Sequence, residues 1–286
     1  MTKAEKETIL NRDNTIKEWF DLYGYGDLEN TKESSISSYN EAGTIYAVIN
    51  TPKMATGTLQ GTFSTSLKCK GRDPIRTVNL SGNCERDQKV MRSHDFDAAV
   101  EYIQEHRGSN PNGRCHIVTA LRSPNQWFAS LYNEKTKADG HCPDVNIPSD
   151  ERVRNFKTFL STSRFGRAFD TLGRLLNEYD VSLTSQFRLM DKNGGYSVLG
   201  PAPDNSIIAG CELLFLRIED SERWPDIFRK MFPGIGYRSG KSRSDMCPKA
   251  TDTLKILEEY VMTKAEQETI LSGDNTIKEW FDLYDY

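Results

Sequence analysis

TIYAVINTPKMATGTLQGTF, residues 44 to 63, holds the turn on which the fold class rests. The apolar run from Thr44 to Asn50 reads as a buried strand. It stops at Thr51-Pro52 and gives way to a lysine, small residues and hydroxyls. That composition suits a loop in which backbone N–H groups, the Lys53 ammonium and a hydroxyl converge on an anion where a helix begins.

Outward from this stretch, short apolar strands alternate with helices. DFDAAVEYIQEH (95–106) is amphipathic, CHIVTAL (115–121) reads as a strand, and a helix begins near Pro124. Helical VRNFKTFLSTS (153–163) and FGRAFDTLGRLLNEY (165–179) follow, then a strand ELLFLRI (212–218) and a helix SERWPDIFRKMF (221–232). The alternation predicts an α/β fold with a central parallel sheet and helices on both faces. Such sheets bind ligands at the carboxyl ends of their strands. DKNGGYSVLGPAPD (191–204) and HCPDVNIPSD (141–150) read as surface loops that border an acceptor cleft.

The chain has 286 residues, which by default is one large domain. Its longest apolar run, IIAGCELLFL (207–216), is too short to span a bilayer. MTKAEKETIL at the N-terminus lacks the apolar core of a secretory signal, so the expected location is the cytoplasm. A net charge of −4 gives no general attraction to nucleic acid or acidic membranes, and a polyanion must be held by a local cluster of Lys and Arg. The six cysteines form no CxxC pair, which is poor spacing for zinc. The spacing favours free thiols and leaves a Cys69–Cys84 bridge open for an oxidising compartment.

Residues 1 to 25, MTKAEKETILNRDNTIKEWFDLYGY, return at Met262 as MTKAEQETILSGDNTIKEWFDLYDY, with four differences. The division expected is an N-terminal helical segment (1–25), a main domain (26–261) and the repeat (262–286), which opens the next unit of a tandem array. An artefact or a duplicated terminal helix is the alternative. Ile9, Ile16, Trp19, Phe20 and Tyr23 fall at near-helical spacing, with Asp13 or Asn14 as a cap. On the array reading, Ile270, Ile277, Trp280 and Phe281 lack their downstream partner and promote self-association.

A Walker A loop carries its lysine near the end, whereas Lys53 stands at the beginning, which counts against a P-loop kinase. PKMATGTL (52–59) instead resembles the phosphosulfate loop of sulfotransferases, close to P-K-[ST]-[GA]-[ST]-[ST]-[ST]-L. Pro52, Lys53, Ala55, Thr56, Thr58 and Leu59 fit, while Met54 replaces a usual hydroxyl and Gly57 stands where Ser or Thr is common. LRSPNQWFASLY (121–132) resembles the R-[NDS]-P-x-x-x-x-x-S-x-Y segment of the same superfamily through Arg122, Pro124, Ser130 and Tyr132. A guanidinium offers a planar fork for phosphate oxygens, and a serine in the next helix adds a donor. Between the two lies RSHDF (92–96), whose His94 is the candidate base, with Asp95 as a helix cap in the plainer reading. LRIEDSERWPDIFRKMFPG (216–234) resembles the strand-Glu-Asp-helix element of the superfamily. YRSGKSRSD (237–245) resembles its R-K-G-x-x-G segment through Arg238 and Gly240, with Arg243 in place of the second glycine.

The resemblance covers residues 44 to 245 and implies a sulfotransferase on a P-loop-like core. The donor would be 3′-phosphoadenosine 5′-phosphosulfate, leaving the 3′,5′-bisphosphate as product, with no metal required. The resemblance places Lys53 at the bridging phosphate oxygen and Ala55, Thr56, Gly57, Thr58 and Leu59 around the phosphosulfate. It places Arg122, Ser130, Arg238 and Gly240 at the 3′-phosphate and His94 at the acceptor. The expected acceptor is a hydroxyl or amine of a carbohydrate or small molecule; nucleic acid and membrane are not expected partners. A non-catalytic repeat protein with a vestigial anion site is the rival from another class.

Overall fold

The computed structural model describes residues 42–75, 77–138, 142–143, 147–163, 165, 169–238, 255–271 and 275–284. All of them belong to the unit Tyr39–Tyr286. In chain order the elements begin with β1 (Ile45–Ile49), α1 (Thr56–Ser66), β2 (Lys70–Ile75), β3 (Val78–Asn83), β4 (Lys89–Ser93) and α2 (Phe96–Ser109). They continue with β5 (Cys115–Leu121), α3 (Pro124–Lys135), a two-residue ribbon β6 (Lys137–Ala138) and β7 (Cys142–Pro143), and α4 (Ser149–Thr162). After these come α5 (Asp170–Glu178), α6 (Leu183–Asn193), β8 (Tyr196–Leu199), β9 (Glu212–Arg217), α7 (Trp224–Met231), α8 (Lys264–Leu271) and α9 (Asn275–Leu283).

Among the described residues seven strands form one sheet in the order β2-β3-β4-β1-β5-β9-β8. The neighbours β4, β1, β5 and β9 are parallel, whereas β2, β3 and β8 join through antiparallel pairs. The expected parallel sheet is therefore a parallel core with antiparallel edges. These edges gave little sequence signal. β2 carries Pro74, which is tolerated on an outer strand because no ladder bond is lost there. β8 lies inside the 191–204 segment expected to be a loop. Gly194 and Gly195, at φ 73° and 99°, end α6 and turn the chain straight into β8.

Period-2 alternation in β1 explains how helices cover both faces. Tyr46 and Val48 pack with Leu59 and Phe63 of α1 and with Trp224 and Phe228 of α7. Ile45, Ala47 and Ile49 pack on the other face with Ala99 and Ile103 of α2 and Leu175 of α5. A third core gathers beyond the strand ends. There Met54 and Leu121 meet Trp127 and Phe128 of α3, Phe156 of α4 and Met190 of α6.

The repeated C-terminal segment completes this third core. Ile270, Ile277, Trp280 and Phe281 are all buried there, with Trp280 4.5 Å from Phe169 and 5.6 Å from Trp127 between ring centroids. Their apolar surface is thus satisfied within their own unit, against the expectation that they seek a neighbouring copy. The cysteine expectation also changes. Cys69–Cys84 closes the base of the β2–β3 hairpin, and Cys115–Cys211 joins the start of β5 to the residue before β9. These four are bridged, not free. No helix among the described residues is long and apolar enough to cross a membrane.

Candidate functional site

The parallel register decides which loops meet. Ile49 of β1 lies opposite Ser93 of β4, and Val48 lies opposite Val118 of β5. Three strands therefore end side by side, at the ~4.8 Å spacing of a sheet, and deliver His94, the Lys53 loop and Arg122 to one edge. From β1 the chain leaves towards β4, and from β5 it leaves towards β9. The crevice between β1 and β5 is thus a topological switch point, where open α/β sheets place ligands.

Asn50 binds the three ends together and was not singled out from sequence. Its side-chain oxygen accepts from Thr119 Oγ1 at 3.2 Å and Ala120 N at 3.4 Å, and its amide donates to the Met54 carbonyl. Its own carbonyl accepts from His94 Nδ1 at 2.6 Å. Trp127 Nε1 holds the next turn by donating to the Pro52 carbonyl at 2.6 Å.

Lys53 and Ala55 both have left-handed φ, 68° and 57°, flanking Met54. Each costs roughly 1–2 kcal/mol for a residue with a Cβ, so tertiary contacts must hold the loop in this shape. Alternating hands along a backbone turn its N–H groups into one concavity, and the start of α1 follows at once without a side-chain cap. The hydroxyls of Thr51 and Thr56 are buried there without a hydrogen-bond partner. Met54 is fully buried in the third core beside Trp127, which explains an apolar residue where a hydroxyl is usual. Leu59 packs under the sheet, leaving only its backbone to the loop. Thr58 is half-buried and Gly57 exposed.

Lys53 is ion-paired with Glu134 in the last turn of α3. Arg92, on β4, is a further cation at this edge that sequence reading passed over. A Cβ on Gly57 would lie 3.5 Å from its Nη1, so its guanidinium stands beside the first turn of α1. His94 lies at the exposed mouth, yet packing around the ring holds its pKa below the ordinary imidazole value, with Arg92 and Lys53 acting in the same direction. The Asn50 carbonyl accepts a hydrogen bond from Nδ1–H, which leaves Nε2 as the basic nitrogen of the neutral ring. Asp95 does cap α2, accepting from Ala98 N at 3.1 Å. The plainer reading of that residue and the functional reading of His94 are compatible: the cap fixes where His94 leaves the strand.

Arg122 is largely buried. Its Nε donates to Gln126 Oε1 at 3.3 Å, and its Nη2 lies 3.8 Å from Glu258 Oε1. Burial lowers its pKa, and Glu258 and Glu219 oppose that; a guanidinium remains charged. Ser130 is half-buried on α3, roughly 9 Å along the axis from Pro124. Arg238 is not brought to this edge. It is exposed, and it bonds Thr62 and Thr65 in the second half of α1, at 3.3 and 3.1 Å. Gly240 and His141 lie outside the described residues.

No protein-family model matches the chain, and no curated protein matches it significantly. Among the described residues no cluster of His, Cys, Asp and Glu is arranged to hold a metal ion.

Proposed function

We propose that this chain is a sulfotransferase with a P-loop-like core. It would move a sulfuryl group from 3′-phosphoadenosine 5′-phosphosulfate to a hydroxyl or amine of a carbohydrate or small molecule. One observation carries the reading: Lys53, His94 and Arg122, chosen from separate motifs, lie at adjacent carboxyl ends of β1, β4 and β5. In the reaction the acceptor oxygen or nitrogen forms a bond to sulfur as the sulfur–oxygen bond to the 5′-phosphate breaks. The bisphosphate leaves, and the acceptor proton passes to His94 Nε2. Lys53 and the N–H groups at the start of α1 stabilise the charge that grows on the leaving oxygen. Arg122 and Ser130 hold the 3′-phosphate, which fixes the in-line geometry. The donor's charge would draw Lys53 away from Glu134.

Cys69–Cys84 and Cys115–Cys211 favour an oxidising compartment over the cytoplasm expected from the N-terminus. A second reading, a non-catalytic module, is favoured by the carboxylates Glu134 and Glu258 that already face Lys53 and Arg122. Thermal melting separates these readings, because a ligand that binds only the folded state raises its melting temperature. Stabilisation by adenosine 3′,5′-bisphosphate but not by ATP with magnesium is the expected result. Silence from both would favour the module, and stabilisation by ATP alone would favour a kinase. Labelled donor screened against pooled glycans and metabolites then identifies the acceptor.

A further inference from the structure

The C-terminal copy of the repeat sits in a socket made by α3, α5 and α6. Trp280 Nε1 donates to the Arg122 carbonyl at 2.8 Å, and Glu279 accepts from Thr184 N at 2.7 Å at the start of α6. Tyr284 OH donates to Glu219 Oε2 at 3.2 Å, and its ring lies 5.1 Å from Phe187. Gly173 of α5 makes room for α9, since a Cβ there would lie 2.7 Å from Thr276 Oγ1. Every one of these plug residues recurs in the N-terminal copy: Thr15, Glu18, Trp19 and Tyr23 correspond to Thr276, Glu279, Trp280 and Tyr284. Ile9, Ile16 and Phe20 likewise match the buried Ile270, Ile277 and Phe281. The four differences fall at 6/267, 11/272, 12/273 and 24/285. Of the C-terminal members only Gln267 is described, and its side chain bonds back to the Met262 carbonyl inside the copy. The chain therefore carries two segments with the same socket-binding residues.

We infer that residues 1–25 are a donor segment for the socket of a second copy of this chain. None of the described socket contacts uses a position at which the two segments differ, so tethering decides which one a socket holds. The C-terminal copy follows the described residues 255–261 directly and keeps its own socket. The N-terminal copy then links chains wherever a neighbouring socket is open. An identical element supplied by another protomer is a low-cost route to association, because no new interface has to be built. The inference stands on the socket and the repeat alone and is independent of the proposed catalysis.

The test opens the socket in the full chain. A Trp280→Ala/Phe281→Ala variant disables the C-terminal plug. It should melt near wild type, and its mass in sedimentation should rise with protein concentration. Adding Trp19→Ala and Phe20→Ala should abolish the association and lower the melting temperature sharply. A labelled peptide of residues 1–25 should bind the four-substitution chain and restore its melting temperature, whereas the same peptide with both Trp19→Ala and Phe20→Ala should not. If the two-substitution chain does not fold, refolding the four-substitution chain with the wild-type peptide keeps the question answerable. Two outcomes would each overturn the inference: a folded two-substitution chain that stays monomeric at every concentration, or no rescue of the four-substitution chain by the peptide.

Discussion

The two ends of the parallel core are built for different tasks. At the amino end, Cys115–Cys211 ties β5 to the start of β9, and His116 Nδ1 pairs with Glu212 at 3.0 Å across the same two strands. His106 Nε2 donates to the Gly43 carbonyl at 2.8 Å, and Gly113 lies so close to that carbonyl that a Cβ would sit 2.2 Å from it. Its histidines are buried and its backbones nearly touch. At the carboxyl end, His94 is exposed, Lys53 and Arg92 stand beside a left-handed loop, and Thr51 and Thr56 bury unpartnered hydroxyls. The two ends of one sheet thus place three histidines in opposite circumstances. The lesson is that the end tied by a disulfide holds its histidines in packed, hydrogen-bonded places, whereas the open end leaves its histidine exposed beside two cations.

The largest effect is expected at the locked end. Replacing Cys115 and Cys211 together by Ala opens a loop of 96 residues. By the chain-entropy argument this should cost about 4–5 kcal/mol of stability in denaturant unfolding. Bisphosphate affinity of the folded fraction should stay unchanged, and a loss of affinity at equal folding would show that the ends are not separate.

At the open end, Lys53→Ala should lower turnover roughly a hundredfold to a thousandfold with labelled donor, as for other lost oxyanion donors. Donor affinity should fall much less, since on the proposed reaction the charge that Lys53 would meet develops in the transition state. His94→Asn should lower turnover roughly a hundredfold and leave donor affinity intact. On the proposed reaction the sign with pH follows from the lowered His94 pKa: the imidazole would be lost as a base as pH falls through that value. The acid limb of the rate should therefore lie below about 6.5, with a plateau at neutral pH. An acid limb above that value would move the base to another group.

Arg122→Ala should act on binding, weakening the donor by about 2 kcal/mol in calorimetry. It also leaves Glu258 facing no guanidinium, so its melting temperature must be measured alongside. The smallest effect is expected from Asp95→Ala. It removes the cap of α2 at a cost of about 1 kcal/mol of stability, and any excess loss of turnover would report displacement of His94.

β1, β5 and the start of α3 were legible in the sequence because apolar runs and a following proline are local signals. The motifs around Lys53, His94 and Arg122 were legible for the same reason, each within a dozen residues. Arg92 was adjacent to a chosen residue and still passed over, because only the fold shows that β4 carries it to α1. Asn50, Glu134 and Trp127 had no local signature at all. Their importance is a matter of partners 70 to 81 positions away, as in the bonds from Ala120 to Asn50, from Lys53 to Glu134 and from Trp127 to Pro52.

The amino-acid sequence by itself determined the alternation of strand and helix, the loop with a leading lysine and the existence of two near-identical end segments. Periodicity, proline placement and repetition are written along the chain and need no third dimension. Only the tertiary structure decided that the three motif ends stand on neighbouring strands, that Arg238 is tied to Thr62 and Thr65 of α1, and which cysteines pair. It also decided that the C-terminal copy is part of the core of its own unit. Strand order, register and burial arise from contacts between distant residues, and a pattern read within a few turns of chain does not contain them.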